Sequence, residues 1–160
     1  EFAPFLYPNQ YVNFNQSSAA VAFSDQLSAG AADPMGVVTN IYNYVVDNLT
    51  YDYQKAATVQ SGYLPNVDLT LSTRTGICFD YAALMTAMLR AQDIPTKLVI
   101  GYTGELYHAW ISVYLPEQGW IDNIIYFDGQ NWSLMDPTFA SSGGRAHGGG
   151  DGSYQAKYSY

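Results

Sequence analysis

One stretch constrains this chain more than any other. Residues 78–92 read Cys-Phe-Asp-Tyr-Ala-Ala-Leu-Met-Thr-Ala-Met-Leu-Arg-Ala-Gln, and from Phe79 to Ala91, apart from the Tyr81 hydroxyl, only Asp80, Thr86 and Arg90 are polar. A helix that is apolar nearly all round has to be covered on most sides, so the fold must be built around it. Asp80 in the first turn and Arg90 in the last suit the helix dipole, and Pro95 ends the run. Arg90 and Asp93 then read as a solvated helix end, and Asp80 as a partner for Arg74. The only Cys of the chain, Cys78, stands at the start of this helix.

The surrounding pattern is mixed. Residues 18–29 predict a short helix ended by Gly30, and Asp33-Pro34 a second one, with Asp as N-cap and Pro in the first turn. Val37, Val38, Ile41, Tyr44, Val45 and Leu49 carry that second helix to about Asn48. Residues 50–77 mix aromatics, Gly and Pro and read as a long irregular connection. Strand-forming runs follow at 97–102, 108–115, 120–127 and 132–135, the last two separated by a turn at Asp128-Gly129. Residues 1–16 read as an extended arm that adds an edge strand. Residues 141–153 hold six Gly in thirteen and read as a flexible loop. The tail at 154–160 alternates well enough to close the sheet. The expectation is one α+β domain over residues 1–160, with its core at about 34–140.

Composition narrows the function. The chain of 160 residues is 16% aromatic, 12% charged and 48% hydrophobic, which excludes intrinsic disorder. A single Cys excludes a disulfide scaffold. The net charge of −8 argues against nucleic acid, which needs a basic face. No apolar run nears the ~20 residues of a membrane helix, so no membrane insertion is expected. Few Lys and many Tyr, Asn, Gln, Ser and Thr suggest an extracellular or cell-surface protein whose targeting segment lies outside these residues. Between Lys97 and Arg145 there is no Lys or Arg, while Glu105, Glu117, Asp122, Asp128 and Asp136 all fall there.

Three residues suggest chemistry. Cys78 at a helix N-terminus has half a positive charge and unpaired N–H groups beside it, which should lower the thiol pKa and stabilise an oxyanion. The competing reading is a buried structural Cys. His108 sits at the start of a strand, where a base can face the N-terminus of a packed helix. Asp136 ends a later strand and is held extended by Pro137. Taken alone, His108 reads more readily as a structural His and Asp136 as part of a plain turn. Their order, Cys then His then Asp at the ends of a helix and two strands, favours catalysis. His147 in the Gly-rich loop reads as structural or idle. No metal site or cofactor is expected, because the spacings lack ligand pairs such as Cys-x-x-Cys.

Taken together, the segments resemble the transglutaminase-like domain, a branch of the papain-like cysteine acyl transferases, in its bacterial form. The matching residues are Thr75-Gly76-Ile77-Cys78-Phe79-Asp80-Tyr81-Ala82-Ala83-Leu84, Met88-Leu89-Arg90-Ala91 and Ile94 to Tyr102. They continue in Tyr107-His108-Ala109-Trp110-Ile111-Ser112-Val113-Tyr114, Gly119-Trp120 and Trp132 to Thr138.

The resemblance implies a papain-like core, with the Cys helix packed on an antiparallel sheet that carries His and Asp. It implies a triad of Cys78, His108 and Asp136 acting through a thioester on peptide or glutamine-type amides, as a hydrolase or an acyltransferase. Partners would be a protein or peptide substrate and an amine co-substrate. A second oxyanion donor is expected upstream of the Cys, at Tyr51, Tyr53 or Tyr63. Phe79 stands where the animal crosslinking enzymes carry Trp, and Ser112 where an acidic residue is common. Both departures weigh toward hydrolysis over crosslinking. The alternative is a non-catalytic transglutaminase-like binding module at the cell surface, and the complete set of Cys, His and Asp speaks against it.

Overall fold

The architecture follows from the need to bury the Cys78 helix. A computed structural model describes residues 2–15, 18–58, 63–103, 106–135 and 156–159. Helices α1 (Ala19–Ser28) and α2 (Pro34–Asn48) form as expected. The Asp33 carboxylate accepts the Gly36 N–H at 2.8 Å, which caps α2 where its first-turn donors lack helical partners. The apolar stripe of α2, Val38, Ile41, Tyr42 and Val45, is buried.

In the connection at 50–77, the described residues are more ordered than its composition suggested. It holds a two-residue strand β1 (Thr50–Tyr51), helices α3 (Tyr53–Thr58) and α4 (Val67–Thr73), and a second short strand β2 (Thr75–Gly76). Asn66 caps α4 through the Leu69 N–H, and Arg74 closes it in the left-handed region, φ 57°. The helical turns are too short to show a period in sequence, and caps and tertiary contacts hold them. β1 and β2 pair in parallel, with Tyr51 opposite Gly76.

Helix α5 (Cys78–Ala91) is the predicted central helix. It packs on α1, α2 and α4 and on the sheet strands β3 (Thr96–Thr103) and β4 (Leu106–Leu115). This is why its sequence is apolar on every side. Arg90 corrects the reading of a solvated helix end: it is only 2% exposed. Its Nε and Nη2 donate to the Thr96 carbonyl and Nη1 to the Tyr7 carbonyl. Burial lowers its pKa to about 10. The guanidinium therefore ties the N-terminal arm to the end of α5.

The sheet continues with β5 (Gly119–Phe127), β6 (Trp132–Leu134) and β7 (Ala156–Ser159), in the order β6-β5-β4-β3-β7 and antiparallel throughout. The tail thus pairs with β3 as its alternation suggested. The expected turn follows β5: Gly129 has φ 101°, and the Asp128 carboxylate accepts from the Gln130 and Asn131 N–H groups. The register of β4 and β5 shifts between Ile111 and Val113. There Asn123 turns to φ 56° and gives its N–H to the Ser112 hydroxyl at 2.9 Å. Ser112 therefore serves a β-bulge. The N-terminal arm is not an edge strand: among the described residues it forms a short 3-10 turn (Ala3–Phe5) and then an irregular run. Rings anchor it, Phe2 against Tyr114 at 4.7 Å and Phe5 against Trp120 at 5.4 Å. The Gly-rich loop, His147 and Asp136 lie outside the described residues.

Candidate active site

Cys78 is the first residue of α5 and is completely buried. The strand pair β1–β2 sets what faces it. Because Tyr51 is opposite Gly76, two residues before the Cys, its phenol reaches the helix N-terminus. The Cys78 N–H donates to the Tyr51 hydroxyl at 3.4 Å. Of the three upstream tyrosines, Tyr51 is thus the one at the Cys. Tyr53 is 71% exposed. Tyr63 donates to Asp80 at 2.6 Å.

The expectation of a lowered thiol pKa is overturned. Burial pushes the Cys78 thiol up to about 12; the hydrogen bond from Tyr51 opposes this and the Asp80 charge adds to it. The helix terminus meets a fully buried thiol, and there the cost of a desolvated thiolate exceeds what partial backbone charges return. Burial raises the Tyr51 phenol as well, with the Cys78 side chain adding to the rise. Both groups hold their protons at neutral pH.

Asp80, two residues on, is 1% exposed and fully engaged. Its Oδ2 accepts from the Ile77 N–H at 3.0 Å and from Lys55 Nζ at 3.0 Å. Its Oδ1 accepts from Tyr63, and Lys55 also donates to the Tyr63 hydroxyl. The partner expected for Asp80 was Arg74, but Lys55 and Tyr63 take that place. Burial pulls the Lys55 pKa down, and the hydrogen bonds to Tyr63 and Asp80 outweigh it, for a net rise. Burial and donation to Asp80 push Tyr63 up to about 12. Gly76 is required at this point, since a Cβ there would stand 2.6 Å from the Asp80 Cβ. Lys55 could not be found from sequence, because its partner is 25 positions away in an irregular segment.

An aromatic group surrounds Tyr51. Its ring stacks on Phe127 at 5.5 Å and 22°, and meets Tyr81 at 5.9 Å and Tyr53 at 4.8 Å. Trp132 stacks on Tyr81 at 5.6 Å and packs on Phe127 at 4.9 Å. Phe127 is paired with Ala109 in the β4–β5 ladder, next to His108.

His108 is buried on β4, opposite Gly101, which puts no side chain beside the ring. Its ring stacks on Trp110 at 5.8 Å and 14°, and its Nδ1 lies 3.4 Å from the Tyr126 hydroxyl. Trp110 lies on the same side of the strand as His108. Ala109, Ile111 and Val113, of opposite parity, join the core cluster that contains Cys78. Tyr51, at the Cys78 N–H, stacks on Phe127, whose ladder partner Ala109 is the chain neighbour of His108. Sequence reasoning missed Tyr126 at His108. Among the described residues no group of three or more His, Cys, Asp or Glu side chains could hold a metal ion. No described helix is long and apolar enough to cross a membrane.

Known proteins share this fold. The protein-glutamine gamma-glutamyltransferase of Pseudomonas aeruginosa is 33% identical over 119 residues, which are 64% of this chain and 17% of that protein. A solved candidate cysteine protease from Cytophaga hutchinsonii has a TM-score of 0.59 at 22% identity, over 99% of this chain and 54% of the other. The periplasmic domain of TgpA from Pseudomonas aeruginosa, solved with ethylmercury bound, has a TM-score of 0.51 at 25% identity, over 81% and 47%. The chain thus spans about a sixth of that curated relative and about half of each solved chain. The family model of the transglutaminase-like superfamily matches residues 21–137, from within α1 through the β6 end of the sheet. With the Cys-bearing helix packed on an antiparallel sheet over that span, the chain belongs to the transglutaminase-like superfamily.

Proposed function

We propose that the protein is a cysteine-dependent amidase or acyl transferase acting on peptide or glutamine-type amides, with Cys78, His108 and Asp136 as its triad. The observation that carries this reading is the Tyr51 hydroxyl held at the N–H of the first residue of α5, beside the only thiol. Those two groups form a two-donor oxyanion site once the phenol turns its proton toward the substrate.

The thiol holds its proton at neutral pH, so attack requires a base, the role of His108. Cys78 Sγ bonds to the amide carbon as His108 takes the thiol proton, and the carbonyl oxygen becomes an oxyanion between the Cys78 N–H and Tyr51. Collapse breaks the C–N bond, and His108 returns the proton to the leaving amine. Water or a second amine then attacks the thioester, giving an acid or a new amide and restoring the thiol. Asp136 orients His108. The protein-glutamine gamma-glutamyltransferase relative supports the amide class. The periplasmic domain among the solved relatives supports a site of action outside the cytoplasm.

The test is intact-mass detection of a thioester adduct on incubation with glutamine peptides, with and without a primary amine. The reading expects an adduct in the native protein and none in Cys78→Ala, with free acid or new amide as product. Absence of adduct and of product across the peptide set would favour the binding-module alternative.

A further inference from the structure

The carboxylate of Asp80 is held more heavily than a helix cap requires. One donor, the Ile77 N–H, satisfies the cap. The other two, Lys55 and Tyr63, come from the segment that also carries Tyr51. Lys55 lies four residues after Tyr51, on a helix whose start is pinned by the Asp52 carboxylate accepting the Lys55 N–H at 3.0 Å. Tyr63 also sets its ring edge against Phe79, the residue after the Cys, at 6.3 Å. Tyr51, Tyr63 and Lys55 therefore hold α5 at Cys78, Phe79 and Asp80, and Cys78 has no exposed surface. A cavity of about 180 Å³ opens beside the grip, lined by Lys55, Tyr63, Thr70 and Gly76.

We propose that Lys55, Tyr63 and Asp80 form a latch that positions Tyr51 at Cys78 and shuts the thiol from solvent. The three are positioning residues: they act on both the reaction and access through Tyr51. This rests on the role of Cys78 proposed above. Lys55 is the member that can let go, because its side chain is 35% exposed while that of Asp80 is 1% exposed. With it released, the carboxylate keeps the Ile77 N–H and Tyr63, and the Lys55 chain has the cavity to move into.

Two readouts test the latch in the full chain. The first is iodoacetamide labelling of Cys78 at pH 8, which needs no substrate. Losing one charge-assisted hydrogen bond shifts a local opening equilibrium about tenfold or more, so Lys55→Met should label at least about tenfold faster than the native protein. Lys55→Arg should restore slow labelling. Val38→Ala, destabilised in the core away from the latch, is the control for global opening. The second readout is turnover of an acyl-donor peptide. Lys55→Met should lower kcat with KM little changed, and add nothing in a Tyr51→Phe background. If Lys55→Met does not fold, Tyr63→Phe, which removes one hydroxyl, gives both readings. Native labelling rates in Lys55→Met and Tyr63→Phe overturn the latch. So do labelling that rises equally in Val38→Ala, and kcat losses that multiply in full with Tyr51→Phe. Failure of the amide chemistry is distinct: no variant forms an adduct, while the labelling arm still reads.

Discussion

The Tyr51 hydroxyl lies 3.4 Å from the backbone nitrogen of Cys78, although the two residues are 27 positions apart. A two-residue parallel strand pair is enough to bring them together. Its consequence is direct: Tyr51→Phe should lower kcat about 100-fold, as for loss of one oxyanion donor, with KM nearly unchanged. Steady-state kinetics on an acyl-donor peptide check this. A rise in KM with kcat unchanged would remove Tyr51 from the transition state.

Cys78 and pH give a second expectation. The folded thiol is pushed up to about 12, while an unfolded Cys ionises near ~8.5. Unfolding therefore releases a proton between these values. The contribution of Cys78 to stability is complete below ~8.5 and is lost as pH rises toward the folded value. Urea midpoints should fall between about pH 8.5 and 10, and Cys78→Ala should flatten that fall. Alkylation of Cys78 in the native protein should likewise keep rising beyond pH 9 instead of levelling near neutrality.

His108→Ala should reduce kcat about 1000-fold, the loss expected for a general base. Tyr126→Phe removes the hydroxyl 3.4 Å from Nδ1 and should cost far less, since the Trp110 stack still holds the ring. Equal kcat values for His108→Ala and the native protein would remove His108 from the reaction.

Gly76→Ala should destabilise the protein by about 1–3 kcal/mol, because the new methyl overlaps the Asp80 side chain and cannot be accommodated without moving it. Chemical denaturation measures the loss. Faster iodoacetamide labelling of Cys78 should accompany it, as Asp80 is displaced.

Arg90→Ala should cost about 2 kcal/mol by leaving the Thr96 and Tyr7 carbonyls without their donors. Arg90→Lys should rescue only part of it, since one ammonium cannot reproduce a fork that spans two carbonyls. A thermal midpoint equal to the native value in Arg90→Lys would contradict the fork.

Local patterns in the sequence determined much of this protein. The apolar run after Cys78, the Asp33-Pro34 start of α2, the β-rich runs and the Asp128-Gly129 turn all form where the residues place them, since each rests on neighbours within a few positions. The family was legible too, in motifs spread from Thr75 to Thr138. Tertiary structure decided the rest. It formed short elements within 50–58 and 67–76 that are not stable alone, brought Tyr51 rather than Tyr53 or Tyr63 to the Cys78 N–H, and gave Asp80 to Lys55 instead of Arg74. It also buried Arg90 on the carbonyls of Thr96 and Tyr7. Most sharply, it reversed the sign of the Cys78 pKa shift. A helix N-terminus is visible in sequence, but the desolvation that outweighs it depends on how much water the assembled fold excludes.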